Sequence, residues 1–204
     1  MKTLKSMLFK KDPIQHWPFW TLCILLIRIP ILIYFMHQGN EHFPERMVDR
    51  VVLKEVDYGY FLLPVDRYFE DGHYSYVNDR PYAGRMPGYA IPYYFLRLVV
   101  NKDTALVVLI LLQIILAAVG ACFLALLAYR LSKSRRVFLL TLLFYGTSLY
   151  YLRYDFSSIT ESPSTALFIL FLYQFFTYWE EGHRTRLLWA GFFLTWAIFL
   201  RPFL

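Results

Sequence analysis

The sequence has few charged residues and almost no cysteine. Only 18% of its 204 residues are charged, whereas 58% are hydrophobic and 20% are aromatic. Soluble domains are usually about 45–50% apolar, so this composition excludes an ordinary soluble domain. The two cysteines, Cys23 and Cys122, lie in separate apolar runs, and no C-x-x-C or Cys/His spacing occurs. We therefore predict neither a disulfide framework nor a zinc site.

Long uncharged runs predict an all-α, polytopic helical membrane protein. Residues 105–129 carry no charge, and Gln113 is their one strongly polar side chain. Because about 20 apolar residues cross a bilayer as a helix, we expect about five transmembrane helices. They are predicted at 17–36, 104–129, 137–152, 163–179 and from 187 onward. The net charge of +6 then belongs to the loops and does not indicate nucleic-acid binding.

The positions of the basic residues predict which loops face the cytoplasm. Short cytoplasmic loops collect Lys and Arg, and this rule places a tail at 1–16 and the basic clusters at 130–136 and 181–186 on that side. Residues 37–103 then form a large outer loop, and 104–204 hold the further spans of a single module. The apolar stretch 87–100 is too short to cross, so we predict a juxtamembrane or re-entrant helix.

That juxtamembrane helix carries a group of aromatic side chains. We expect them to lie at the level of the lipid headgroups, as interfacial aromatic residues do. The residues concerned are Tyr89, Tyr93, Tyr94 and Phe95. The sequence stops within or at the end of a hydrophobic stretch, and we expect it to be the front part of a longer protein.

Two carboxylates are candidates for a site on the outer side. Asp57 stands at the start of a short amphipathic pattern that continues to Tyr68, with Pro64 expected to break or kink it. Glu161 precedes Pro163 at the start of a span. Each is also explained as a helix-capping or dipole-compensating residue. If they converge on one cavity, they could act as a base and as a ligand of a divalent cation, although a site without metal fits equally well.

Arginines are the candidate phosphate ligands and the candidate buried charges. Arg80 and Arg85 lie in the outer loop, and Arg85 has Gly84 and Gly88 on either side, which lets the backbone approach a ligand. Arg28 lies near the middle of the first span, and Arg201 lies in the last one. A charge within the membrane needs a partner or a cavity, and for both we favour structural pairing over direct ligand contact.

The ordered motifs resemble one family of membrane enzymes. A lysine-rich tail and first span are followed by D-x-x-Y at 57–60, DGHY at 71–74, R-x-P-G-Y at 85–89 and TESPSTALF at 160–168, with Gly191 and an Arg-Pro pair at 201–202. This series is similar to the integral-membrane GT-C type glycosyltransferases, specifically the protein O-mannosyltransferase and lipid A aminoarabinose transferase superfamily.

The resemblance implies a concrete activity. Such enzymes transfer a sugar from a polyprenyl- or dolichyl-phosphate carrier to an acceptor lipid, glycan or protein on the outer face of the membrane. It implies that Asp57 is the essential carboxylate, that Glu161 assists it, and that Arg85 holds the donor phosphate. Arg80, Tyr60 and Tyr89 are the further substrate-binding candidates. The expected location is a multi-pass protein of a bacterial inner membrane, with its N-terminus in the cytoplasm and its active site on the periplasmic side.

Several alternatives remain open at this point. The loop before Asp57 is longer than the resemblance leads us to expect, so Asp49 and Asp66 are rival candidates for the base. The chain could also be a non-catalytic membrane protein, such as a transporter or flippase of lipid-linked sugars, although no two related halves are visible. A truncated transferase without activity is the third possibility.

Overall fold

The computed structural model describes residues 13–50, 52–55, 58–75 and 87–201. Within these ranges the chain is mostly helical, which confirms the all-α prediction. A 3₁₀ turn at Pro13–His16 leads into the first helix, and two short strands, β1 (Met47–Val48) and β2 (Val52–Leu53), pair as an antiparallel hairpin. The helices are α1 (Trp17–His42), α2 (Leu63–Asp71), α3 (Ala90–Arg97), α4 (Lys102–Ser132), α5 (Arg135–Gly146), α6 (Leu149–Asp155), α7 (Glu161–Glu181) and α8 (Arg184–Leu200).

Helix α4 is the centre of the bundle and packs against α1, α3, α5, α6 and α7. It begins at the cap residue Asn101, whose side chain accepts a hydrogen bond from the backbone N–H of Thr104 at 2.9 Å. Gly120 lies so close to α7 that a Cβ at this position would be 2.9 Å from the Cβ of Ala166. Small residues at this contact let the two helices approach closely, as in many membrane bundles.

Two stretches of the described chain are long and apolar enough to cross a bilayer. They are Pro13–His42, with a mean hydropathy of 2.1, and Lys102–Ser132, with a mean hydropathy of 2.9. The exposed side of α1 is apolar, since Leu22, Leu26 and Ile33 are each more than half exposed. An apolar surface of this kind is typical of contact with lipid or with another protein. These features support association with a membrane, and the remaining three spans stay predictions.

The two ends of the bundle differ in their polar contacts. One end, which we call the hairpin end, carries the β-hairpin, α2, α3 and the segment 156–160. At the other end Arg130 of α4 binds two carboxylates of α7, Glu180 at 2.7 Å and Glu181 at 3.1 Å. Helix α7 stops beside them at Gly182, whose φ of +71° lies in the left-handed region that glycine adopts without strain.

The span predicted at 137–152 is a pair of helices, α5 and α6, with a break at Thr147 and Ser148. In a continuous helix the carbonyl of Gly146 would accept a bond from the N–H four residues later. Here it accepts the Nε–H of Arg28 at 3.2 Å instead. The prediction of one uninterrupted helix was therefore wrong, because a side chain from α1 takes the place of a backbone donor.

The segment after residue 57 also differs from its prediction. Pro64 does not end the helical segment, because it occupies the first turn of α2, directly after a change of helix type. A π-helical turn at Tyr58–Leu62 precedes α2. The amphipathic pattern is thus divided between two helical types.

Helix α3 is short, as predicted, but two aromatic residues of the predicted segment 87–100 were placed wrongly. Tyr89 and Tyr93 are 2% and 0% exposed, so they belong to the protein core and not to a lipid-facing belt. Phe95, at 61% exposed, does face outward. Gly88 explains the inward packing: its N–H donates to the carbonyl of Phe199 at 3.2 Å, and a Cβ here would lie 2.5 Å from that carbonyl carbon.

Candidate functional site

The two segments that are predicted to lie on the outer side are joined by backbone hydrogen bonds. Leu53 of β2 forms a parallel bridge with Ser157: its N–H donates to the carbonyl of Phe156 at 3.3 Å, and its carbonyl accepts from the N–H of Ser158 at 3.0 Å. The Ser158 hydroxyl then accepts from the backbone N–H of Glu55 at 3.1 Å. The chain just before residue 57 is therefore fixed against the segment that leads into Glu161.

Glu161 is the first residue of α7, and its partner is Arg201, which follows the end of α8. One guanidinium nitrogen of Arg201, Nη1, lies 2.5 Å from Glu161 Oε1. Both side chains are partly open to solvent, at 36% and 44% exposed. The second carboxylate oxygen, Oε2, is buried and has no hydrogen-bond donor among the described residues. The expected pairing of Arg201 is present, and Glu161 keeps one oxygen that could accept a bond from a ligand.

Asp66 is fully buried and engaged by four donors. Its Oδ2 accepts from the Tyr58 hydroxyl at 2.6 Å and lies 3.3 Å from Lys102 Nζ. Its Oδ1 accepts from the Tyr93 hydroxyl at 2.9 Å and from Arg97 Nε at 3.1 Å. A carboxylate with both oxygens occupied has no place for a substrate proton, so the geometry argues against Asp66 as the catalytic base.

Burial and the neighbouring charge of Asp66 raise the pKa of both tyrosines. Burial is the larger cause for each, and the Asp66 carboxylate adds to it because it disfavours a second negative charge beside it. Tyr58 and Tyr93 therefore stay protonated and keep donating to Asp66 through the whole physiological pH range. This cluster joins α2, α3 and the start of α4.

Replacing Tyr93 by phenylalanine removes one of these donors and keeps the ring. We expect the free energy of unfolding to fall by about 1 kcal/mol, the usual net contribution of a buried hydrogen bond. Urea unfolding in detergent micelles, followed by tryptophan fluorescence, measures the change. Tyr94→Phe is the matched control on the same helix. Equal stability of the two variants would contradict the structural role of the cluster.

Arg28 and Asp155 form a buried ion pair between α1 and α6. Arg28 Nη1 lies 2.6 Å from Asp155 Oδ2, and the two side chains are 1% and 2% exposed. The other carboxylate oxygen, Oδ1, accepts from the Ser162 hydroxyl at 2.5 Å. The predicted structural pairing of Arg28 is confirmed, and its partner is a residue that sequence reasoning missed. A useful signal existed, since Asp155 is an acidic residue that closely follows a predicted span.

Gln113 is the second residue whose role was missed. Its amide nitrogen lies within hydrogen-bond distance of three backbone carbonyls, those of Tyr154 (3.0 Å), Asp155 (3.2 Å) and Ser157 (3.1 Å). Its oxygen accepts from the Tyr89 hydroxyl at 2.9 Å. Gln113 thus holds the segment 154–157 against α4. Its bond to the Tyr89 hydroxyl gives that residue a structural contact.

The remaining predicted site residues are Asp57, Tyr60, Arg80 and Arg85. Asp57, Arg80 and Arg85 lie outside the described residues. Tyr60 lies in the π-helical turn, half-buried against the core. In the ranges that the structure describes, no three or more His, Cys, Asp or Glu side chains are grouped so that they could hold a metal ion.

Comparisons with known proteins give no relative. No family model, no curated protein and no solved structure matches the chain.

Proposed function

We propose that the chain is a glycosyltransferase that moves a sugar from a polyprenyl- or dolichyl-phosphate carrier to an acceptor on the outer face of a membrane. The observation that supports this most is the joining of the two outer segments. Leu53 is hydrogen-bonded to Phe156 and Ser158, and Glu55 to Ser158, so the strand that leads to the candidate base is held beside the segment that leads to Glu161.

In this proposal Asp57 takes the proton from the acceptor hydroxyl or amine as that group attacks the anomeric carbon of the sugar. The bond from this carbon to the phosphate oxygen breaks, and the lipid phosphate leaves with its electron pair. Arg85 stabilises the charge that develops on the leaving group. Glu161 supports the site from the second segment, and Tyr60 and Arg80 contact the substrate. No divalent cation is required by this sequence of steps.

The proposed membrane arrangement has five crossings: α1, α4, the pair α5–α6, α7 and α8. The hairpin end then faces the outside, and Arg130 with the basic residues near it faces the cytoplasm, as the positive-inside rule requires. A bacterial inner membrane is the proposed location.

A transporter or flippase is the competing function, and one feature could favour it. Transporters bind ions at discontinuous helices whose breaks free backbone carbonyls, and α5 and α6 are separated by such a break. Here, however, the carbonyl of Gly146 is already bonded to Arg28. The break is thus explained by an internal contact, and the transferase remains the better supported function.

The test is a transfer assay with the full chain in liposomes. The donors are long-chain polyprenyl phosphates that carry radiolabelled hexoses or pentoses, and the acceptors are total lipid and total protein from a bacterial envelope. We expect protein-dependent release of free polyprenyl phosphate together with label in the acceptor. Movement of an intact donor across the bilayer without cleavage would support the flippase instead. Neither cleavage nor movement of any donor by folded, inserted protein would overturn the proposal.

A further inference from the structure

The end of the bundle opposite the hairpin end carries more basic than acidic side chains. Residues 130–140 contain four Lys and Arg residues and no acidic one, and residues 176–190 contain two Arg and two Glu residues. Both carboxylates are engaged by Arg130, a largely buried residue: Glu180 lies at 2.7 Å and Glu181 at 3.1 Å. Glu181 also lies 3.9 Å from Arg186 Nε. The acidic residues of this end therefore compensate these two arginines and leave the outer cations without a counter-charge.

Three of these outer cations, Lys133, Arg136 and Arg184, form a surface that we call the basic rim. All three are exposed, and none of them forms an ion pair within the part of the chain that the structure describes. Arg136 and Arg184 lie in the first turns of α5 and α8, and neither turn contains an acidic residue. Positive charge is unfavourable there, because the positive end of the helix dipole lies at the N-terminus. An anion from outside the chain would offset this repulsion.

Exposed apolar side chains border the basic rim. Leu131, Leu140 and Leu188 are each more than half exposed, and each lies within four positions of a rim residue in the sequence. Trp179, near the end of α7, is 77% exposed, and tryptophan is typical of the headgroup level of a bilayer. The basic rim thus lies where an apolar surface meets a charged one, which is the arrangement found at the level of lipid headgroups.

We propose that the basic rim binds the headgroups of anionic phospholipids, of which phosphatidylglycerol is a simple example. Its cationic side chains donate to the phosphodiester oxygens, and the planar fork of arginine matches the geometry of these oxygens. The acyl chains lie against the exposed leucines next to the rim. A free phosphate ion would meet the same donors without using this apolar border, so the surface fits a lipid better. The proposal does not rest on sugar transfer, because it requires only that the bundle is inserted in a bilayer.

The test compares two lipids that differ only in the headgroup. Native mass spectrometry of the purified full chain measures binding of phosphatidylglycerol and of phosphatidylcholine with the same acyl chains. The ratio of the two dissociation constants gives the preference for the anionic lipid. We expect wild-type protein to prefer phosphatidylglycerol by about tenfold at low salt. The preference should fall as salt is added, because interactions between exposed charges are screened.

Two triple variants change the basic rim itself. Lys133→Gln with Arg136→Gln and Arg184→Gln removes its three charges, and we expect the preference for phosphatidylglycerol to fall by about tenfold, to the level of phosphatidylcholine. Lys133→Arg with Arg136→Lys and Arg184→Lys keeps the charges and should keep most of the preference. This second variant separates the loss of charge from the loss of the native side chains.

A third triple variant is the matched control. Arg46→Gln with Arg50→Gln and Arg153→Gln removes the same number of charges from exposed residues outside the basic rim. Arg50 matches Lys133 in its backbone, since their φ angles are +58° and +53°. We expect the control to prefer phosphatidylglycerol as strongly as the wild type does.

Three results would overturn the proposal. If the variant without rim charges keeps the preference of the wild type, the basic rim does not bind the headgroup. If the control loses the preference to the same extent, the attraction comes from the net charge of the whole protein. If inorganic phosphate displaces phosphatidylglycerol more effectively than chloride of equal ionic strength, the surface is a site for free anions and not for a lipid.

Discussion

Replacing Asp57 by asparagine is expected to lower sugar transfer by about a hundredfold or more, which is the usual effect of removing a general base. Asparagine keeps the shape of the side chain and removes only its ability to take a proton. The effect should therefore appear in the rate of transfer with saturating donor, while the amount of inserted protein and its unfolding transition stay unchanged. The measurement is release of polyprenyl phosphate in the liposome assay.

Asp49→Asn is the matched control for this prediction. Asp49 is a rival base that precedes Asp57 in the same segment, it is exposed, and its φ of +48° is one that asparagine also tolerates. We expect it to retain full activity. Loss of transfer in Asp49→Asn with activity retained in Asp57→Asn would move the base to Asp49.

Glu161→Gln tests whether Glu161 only supports the site while Asp57 acts as the base. We expect an intermediate loss of about tenfold, because glutamine keeps one hydrogen bond to Arg201 and loses the charge-assisted part of it. A loss as large as that of Asp57→Asn would contradict the assignment of Asp57 as the sole base.

Breaking the Arg28–Asp155 pair is expected to cause the largest loss of stability. Removal of one partner of a buried ion pair costs about 3–5 kcal/mol, because the other charge is left buried without compensation. The two single variants should differ. When Arg28→Met leaves Asp155 alone, the carboxyl can take up a proton and become neutral. When Asp155→Asn leaves Arg28 alone, the guanidinium cannot lose its proton, so this variant should be the less stable one.

Urea unfolding in detergent micelles gives the free energies for this comparison. The double variant Arg28→Met with Asp155→Leu should recover part of the lost stability, since an apolar pair can replace a buried ion pair, while the Gly146 carbonyl and the Ser162 hydroxyl lose their partners. Arg153→Gln is the control, because Arg153 is exposed on the same helix as Asp155, and we expect a change within about 0.5 kcal/mol. Equal stability of wild type and Asp155→Asn would show that the pair does not hold α1 to α6.

The helices could be predicted from the sequence because their signal is local. An apolar run of sufficient length is helical wherever it lies in the fold, which is why α1, α4, α7 and α8 match the predicted segments. The break between α5 and α6 has a local signal in the sequence Gly146-Thr147-Ser148, but the bond to the Gly146 carbonyl comes from Arg28, a residue 118 positions away. The residues next to position 147 do not indicate the contact between Arg28 and Gly146.

The side-chain partners in the candidate site could not be predicted from the sequence either. A charge within a span predicts that a partner exists, as it did for Arg28 and Arg201, but several carboxylates could serve and the sequence does not select one. Tyr89 and Tyr93 were placed at a lipid interface because aromatic residues near a span are typical of it. Their hydroxyl partners, Gln113 and Asp66, lie on other helices, and only the tertiary arrangement shows that these rings point inward.

The bridge between Leu53 and Ser157 also has a consequence for the order of synthesis. The carbonyl of Leu53 bonds to Ser158, which is 105 residues later in the chain. At the usual rate of elongation a ribosome needs about 5 to 20 s to make that length. In the proposed membrane arrangement β2 lies on the outer side, and its bonding partner is translated only after this interval, so the edge of β2 stays unpaired until then. A nascent chain arrested before residue 157 should therefore be cleaved near β2 by a protease added outside, whereas the completed, inserted chain should resist cleavage there.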